Sequence, residues 1–231
     1  MASLSAVRVA ARSQPAEKAL IVFHGLGDSG HGWSFLADYL QRDPSFRSTR
    51  FIFPNAPTIP ISCYSNMQAT GWFDIPDMGF SQEMKADVEG TLRSVGTVQA
   101  FVQEQIDKGI RPENIMVGGF SQGAALALAA SALLPFKIGG FFCLSGFCQI
   151  QSRLMQLKNN NNLETPMFHG HGDEDPIVWF SRGQEAYEFF TREVGLRNYE
   201  FHVYKGMEHS SSPKELQELV QFIKNCLHLN N

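Results

Sequence analysis

No uninterrupted apolar stretch in this 231-residue chain reaches the roughly 18 to 20 residues that a bilayer span needs, so no transmembrane helix is expected. The first twenty residues, MASLSAVRVAARSQPAEKAL, lack the continuous apolar core of a secretory signal peptide. Position 2 is not the glycine required for myristoylation, and the C-terminus carries no CaaX box. These absences point to a cytoplasmic protein, with the nucleus open to it, that touches membranes transiently at most. Cysteine is scarce: Cys63, Cys143, Cys148 and Cys226 have neither CxxC spacing nor the density of a secreted scaffold, which implies reduced thiols. Basic charge is also short, with 19 Lys and Arg against 23 Asp and Glu. At a net charge of -4, and without a dense Lys or Arg run to follow a phosphate backbone, nucleic acid is not an expected partner.

What is present is ordinary for a globular protein: 43% hydrophobic residues in a length that suits one domain over residues 1–231. A chain of this size can bury a full core without metal or disulfide staples. Short apolar runs alternate with longer amphipathic ones, the pattern of a mostly parallel central sheet with helices on both faces. Strands are predicted at residues 19–23, 50–53, 115–118, 140–144, 165–168 and 199–204, and helices at 33–41, 88–108, 122–134, 183–194 and 214–227. Gly109 suits the C-terminal cap of the long helix, and Pro112 discourages its continuation. Residues 54–79, with Pro54, Pro57, Pro60 and Pro76, read as a long irregular loop of the kind that usually carries function. The polar run 159–162, four asparagines, reads as an exposed flexible turn.

The sharpest chemical signal is Gly119-Phe120-Ser121-Gln122-Gly123. This GxSxG follows the apolar run IMVGG and precedes the helical run AALALAASALL, which is the strand, turn and helix context that lifts a serine hydroxyl above a sheet edge. A serine hydroxyl is a weak nucleophile at neutral pH and needs a neighbouring base, which this kind of fold supplies in the order Ser, acid, His. His209, in GMEHSSSP between the last strand pattern and the last helix, is the expected base. His202 lies inside the strand pattern and His228 in the terminal tail. The acid is expected on the loop within PMFHGHGDEDPIV, with Asp175 preferred because Pro176 sets the backbone immediately after it, and Asp173 as the alternative. Backbone N–H groups of Leu26, in His24-Gly25-Leu26-Gly27-Asp28, and of Gln122 are the candidate oxyanion donors. His24 and Asp28 are expected to shape that loop.

His169, His171, Asp173 and Asp175 alternate, so on an extended strand they would share a face as metal ligands. The intervening glycines favour a turning chain, and neither a metal nor a cofactor is expected.

Together, FHGLGDSG, WFDI, GGFSQGAALALA, HGHGDEDPIV and YKGMEHS resemble the cytosolic acyl-protein thioesterases, the small carboxylesterase and lysophospholipase family, and fungal members most. The resemblance runs from about Val7 to Leu227. It implies hydrolysis of long-chain thioesters on protein cysteines, so that S-acylated proteins, and lysophospholipids besides, are the implied substrates; the expected fold is an α/β-hydrolase, and 231 residues with no sizeable insertion between the last strands leave no room for a separate lid domain. Ser121, Asp175 and His209 fall on the family's triad, and Leu26 and Gln122 on its oxyanion positions; the resemblance, not the spacing, decides for Asp175 over Asp173. Trp72, Phe73, Ile75 and Ile177 are the candidate lining of an acyl groove, where each buried methylene contributes about 0.8 kcal/mol. The chain departs from the family at Ala69, Thr70 and Gly71 and at Ile177, Val178 and Trp179, which bears on chain-length preference rather than on the triad.

Overall fold

The computed structural model of the protein describes residues 4–76 and 86–229. In chain order its elements are β1 (Ala6–Val9), β2 (Lys18–Phe23), α1 (Gly30–Trp33), α2 (Phe35–Leu40), β3 (Thr49–Pro54), β4 (Thr58–Ile61), β5 (Met67–Thr70), α3 (Val88–Asp107), β6 (Ile115–Phe120), α4 (Gln122–Leu133), β7 (Gly140–Leu144), α5 (Gln151–Leu157), β8 (Met167–Gly172), α6 (Phe180–Phe189), β9 (Tyr199–Tyr204) and α7 (Pro213–Cys226). Among the described residues seven strands form one sheet in the order β1-β3-β2-β6-β7-β8-β9, all neighbours parallel except the edge pair β1 and β3. The expected mostly parallel sheet is therefore present, with helices on both faces.

The period-two alternation of the strands sorts the core into two halves. Ala19, Ile21 and Phe23 of β2 belong to the half of the core shared with α3, α4 and α6, whereas Leu20 and Val22 belong to the half shared with α1, α2 and α7. Strands buried on both sides read as continuous apolar runs, which is why β2, β6 and β7 are legible in sequence. In α3, Val95, Val98, Phe101 and Val102 recur at helical spacing on the buried side. Asp87 caps that helix by accepting from Gly90 N–H at 2.8 Å, and Gly109 beyond its end has a φ of 86°.

Several expectations need correction. The helix expected at 33–41 is broken at Ser34, whose hydroxyl and N–H both turn back to the His31 carbonyl, at 2.9 and 3.2 Å. The helix expected at 183–194 starts earlier, at Phe180, and closes in a wide π turn over Phe190–Val194. The stretch 54–79 is not wholly irregular: β4 and β5 form an antiparallel hairpin, turned through Ser65 and Asn66 at positive φ, while residues 77–79 lie outside the described residues. β1, β4, β5 and α5 were not legible, each being seven residues or shorter and lacking a long periodic pattern. The asparagine run is anchored rather than free. Asn162 is buried, accepts from Ile138 N–H at 3.1 Å and donates to the Phe136 carbonyl at 3.0 Å, so it pins the connection from α4 to β7.

The strand expected at 165–168 runs instead over Met167–Gly172, paired with β7 on one side and β9 on the other. Its glycines serve close packing and not a turn: a Cβ at Gly170 would stand 2.2 Å from Glu215 Oε1, and one at Gly172 would stand 1.9 Å from the Met207 carbonyl oxygen. His169 and His171 consequently do share a face, contrary to the expected turning chain.

Candidate active site

The nucleophile position is built by β6 running directly into α4. Ser121 between them has φ 54° and ψ -115°, a region that a side-chain-bearing residue enters at about 1–3 kcal/mol of strain. Small residues allow it: a Cβ on Gly123 would lie 2.1 Å from the Phe23 carbonyl oxygen, so the first turn of α4 sits against β2 only because that residue is glycine. The Ser121 N–H donates to the Leu144 carbonyl at 2.8 Å, which fixes the turn to β7.

Ser121 Oγ lies 2.9 Å from His209 Nε2, and His209 Nδ1 lies 2.7 Å from Asp175 Oδ2. His209 stands on the loop between β9 and α7 with its ring 4.7 Å from that of Phe120. Asp175 follows β8. Its Oδ1 accepts from the N–H groups of Ile177 and Val178 at 2.9 and 2.8 Å, while Pro176 between has no N–H to compete. Burial works to raise the Asp175 pKa. The hydrogen bond and charge of His209 and the two backbone donors together outweigh it, and the carboxyl is held below its ordinary value. The arrangement is able to draw a proton from a serine hydroxyl and stabilise the imidazolium that results. Asp173, the alternative acid, instead accepts from Gly206 N–H at 2.6 Å and braces the turn after β9.

The loop after β2 lies against the nucleophile, a Cβ on Gly25 being 3.4 Å from Ser121 Cβ. Leu26 in this loop and Gln122 at the start of α4 present backbone N–H groups that meet no acceptor among the described residues. His24 is fully buried behind them: its Nδ1–H donates to the Gly25 carbonyl at 2.7 Å and its Nε2 accepts from Ala56 N–H at 3.1 Å. Burial depresses its pKa and keeps the ring neutral, as that pair of bonds requires. His24 thus holds the loop, as expected of it. Asp28 accepts from Ser29 N–H at 2.7 Å and shapes the same loop.

A cavity of about 560 Å³ opens beside Ser121 and His209, walled by Leu26, Phe35, Tyr64, Ile75, Phe147 and Ile177. Two of the four expected groove residues, Ile75 and Ile177, are on this wall. Trp72 and Phe73 are not: only 3% and 2% exposed, they belong to the core beneath, Trp72 packing edge-on against Phe23 and donating its indole N–H to the His24 carbonyl at 2.9 Å. An aromatic pair on a loop gives no sequence clue to which side of the loop is inside. Phe35, Tyr64 and the segment 147–149 are wall residues that sequence reasoning passed over. The last could have been suspected, because it follows a central strand at the carboxyl edge of the sheet, where sites of open α/β folds gather. Among the described residues no separate lid domain covers the mouth, and no helix is long and apolar enough to cross a membrane.

His169 and His171, though on one face, are already engaged. His169 meets the Tyr199 hydroxyl at 2.9 Å and accepts from Gly146 N–H at 3.3 Å, while His171 Nε2–H donates to the Val178 carbonyl at 2.8 Å. Among the described residues no group of three or more His, Cys, Asp or Glu side chains is gathered as a metal site would need.

The chain matches the Phospholipase/Carboxylesterase family over residues 4–227. It is 52% identical to acyl-protein thioesterase 1 of Kluyveromyces lactis, covering 98% of this chain and 99% of that protein. It is 51% identical to acyl-protein thioesterase 1 of Saccharomyces cerevisiae, covering 97% and 99%. Among solved structures, Arabidopsis thaliana SOBER1 superposes with a TM-score of 0.85 at 33% identity, covering 91% of this chain and 99% of that one.

Proposed function

The chain belongs to the Phospholipase/Carboxylesterase family of α/β-hydrolases, and we propose that within it this hydrolase cleaves acyl thioesters, releasing long acyl chains from protein cysteines. The observation that carries the reading is the unbroken line from Ser121 Oγ through His209 to Asp175 at the wall of an apolar cavity. Its resemblance to fungal proteins named acyl-protein thioesterase 1 supports the choice of substrate class.

In this mechanism Ser121 Oγ attacks the thioester carbonyl carbon as His209 Nε2 takes its proton. The oxyanion that forms accepts hydrogen bonds from the N–H groups of Leu26 and Gln122, aided by the positive end of α4. Collapse of the tetrahedral species breaks the carbon–sulfur bond, and His209 returns the proton to the departing cysteine sulfur. Water, deprotonated by His209, then attacks the acyl-enzyme; the bond from the acyl carbon to Ser121 Oγ breaks as His209 returns that proton to Oγ, and the fatty acid leaves. Asp175, ionised because its pKa is depressed, supports the imidazolium in both halves. Ile75 and Ile177 contact the acyl chain. A mouth that no separate lid domain covers among the described residues admits an acyl group carried by a whole protein, and the expected workplace is the cytoplasm, with the nucleus open to it and brief contact at membranes. Lysophospholipids, whose oxygen ester suits the same machinery, are further substrates.

The test is steady-state hydrolysis of a palmitoylated cysteine peptide, its oxygen-ester analogue and a lysophospholipid, by wild type and Ser121→Ala. A preference for the thioester that vanishes in the variant supports the reading. Equal rates on all three leave a broad acyl hydrolase, and activity persisting in Ser121→Ala overturns the mechanism.

A further inference from the structure

We infer that His171 is a positioning residue for the acid of this site: by holding the Val178 carbonyl it sets the turn whose N–H groups grip Asp175. The inference rests on the proposed roles of Ser121, His209 and Asp175 and adds a further residue to the same machinery.

The connections are continuous. The fully buried imidazole of His171, on β8, donates from Nε2 to the Val178 carbonyl at 2.8 Å. Val178 N–H and Ile177 N–H both donate to Asp175 Oδ1, which leaves Oδ2 for His209 at 2.7 Å. Removing the His171 donor frees the far end of the turn formed by residues 175–178, and Asp175 then loses its fixed orientation toward His209. Displacements of about 1 Å at a reacting group are enough to slow a reaction by two orders of magnitude.

A packing role alone does not account for an imidazole here. His171 Nδ1 is buried and has no hydrogen-bond partner among the described residues, a penalty that an apolar side chain of similar size would avoid. What the imidazole supplies, and leucine would not, is the donor on its other edge. The surroundings are shaped to that ring: a Cβ on Gly183 of α6 would lie 2.4 Å from Nδ1. Phe180 of α6 and His169 of β8 lie 6.1 and 5.7 Å away between ring centres.

The ring must also be neutral. Its Nε2 stands 3.7 Å from Asp175 Oδ2, too far for a hydrogen bond but close enough for a charge there to compete with His209. Burial, the largest influence, lowers the His171 pKa, and His209 acts in the same direction, while the Val178 bond and Asp175 oppose them without prevailing. The other titratable groups facing it are His169, held neutral by burial, and Tyr199 behind that ring. Asp175 therefore keeps its negative charge for His209.

The experiment compares kcat, KM and the pH profile of kcat/KM for wild type, His171→Leu, His171→Gln, Gly183→Ala and Ser121→Ala. In His171→Leu the expected result is a fall in kcat of about 10- to 100-fold with KM little changed. The acidic limb moves to lower pH, because an imidazolium less well supported by Asp175 gives up its proton more readily. His171→Gln, whose amide reaches about as far as Nε2, restores most of both. Gly183→Ala, which crowds the ring without removing it, moves both in the same direction as His171→Leu and serves if that variant does not fold. Wild-type kcat and an unmoved limb in His171→Leu or Gly183→Ala overturn the inference, as does equal impairment of the Leu and Gln variants with the limb unmoved. Activity surviving in Ser121→Ala would overturn the underlying reading instead.

Discussion

Gln122 grips the chain at Trp72 from beside the nucleophile: its Oε1 accepts the Trp72 N–H at 2.8 Å, and its Nε2 donates to the next carbonyl, that of Phe73, at 2.6 Å. One fully buried amide thus ties the start of α4 to the segment after β5 that carries Ile75 to the cavity wall.

Gln122→Ala leaves a backbone donor and a backbone acceptor buried without partners. The expected loss is about 2–4 kcal/mol of stability, read from urea denaturation. Because the backbone N–H of residue 122 survives, kcat on a short-chain ester should fall less than activity on a long-chain substrate. A variant as stable as wild type would show that the clamp is energetically idle.

Ser121 and His209 act as one unit in the proposed mechanism, so their losses should not add. Ser121→Ala and His209→Ala are each expected to lower kcat by at least about 10⁴-fold, and the double variant to be no worse than either. Pre-steady-state measurement with an activated ester should show the acyl-enzyme burst in wild type alone. Additive losses would mean that the two side chains serve separate steps.

Asp175 has a folded pKa below its ordinary value of 3.8. A depressed acid contributes stability that is present above the unfolded pKa and disappears as pH falls through the folded one. Thermal melts from pH 6 to pH 3 should therefore show wild type losing its advantage over Asp175→Asn below about pH 4. At neutral pH the same variant should lose roughly 10⁴-fold in kcat, since an amide cannot orient and support the imidazolium as the carboxylate does.

Glu215 has the opposite sign. It is fully buried in the first turn of α7, and burial, its largest influence, pushes its pKa up to about 8 from 4.5 against the opposing hydrogen bond from the Ser212 backbone. A raised pKa means that stability is full below 4.5 and declines as pH rises toward 8, because the unfolded chain ionises first. Glu215→Gln, neutral at every pH, should stabilise the protein by on the order of 2 kcal/mol at pH 8 and have little effect at pH 4.5. Melting temperatures that differ equally at the two pH values would contradict this.

Ile75 narrows the cavity beside the nucleophile, so Ile75→Trp should shorten the acyl chain that fits. With each excluded methylene worth about 0.8 kcal/mol, kcat/KM for a sixteen-carbon thioester should fall at least about tenfold relative to an eight-carbon one. An unchanged ratio would place the chain elsewhere.

Chain order and local pattern were enough to bring out the parallel sheet, the strand-to-helix turn at Ser121 and the loop bearing His209, because buried strands leave continuous apolar runs and a tight turn demands glycine at fixed spacing. The same patterns misled at β8. Gly170 and Gly172 look like turn residues, yet they are glycine because Glu215 and the Met207 carbonyl press against a straight strand. Whether Trp72 and Phe73 point into the cavity or the core was equally invisible, since a loop has no period from which to read a buried side.

The sequence by itself determined that a serine, a histidine and one of two aspartates would come to the carboxyl edge of one sheet, since the GxSxG motif marks its own strand-to-helix turn and the other two residue types stand just after later strand patterns. Only the tertiary structure decided which oxygen meets His209, which side chains wall the cavity and that His171 stands behind Asp175. Those depend on contacts of a few ångströms between segments far apart in the chain, such as Asp175 and His209 at 2.7 Å across 34 positions. No local pattern of residues encodes a distance of that kind.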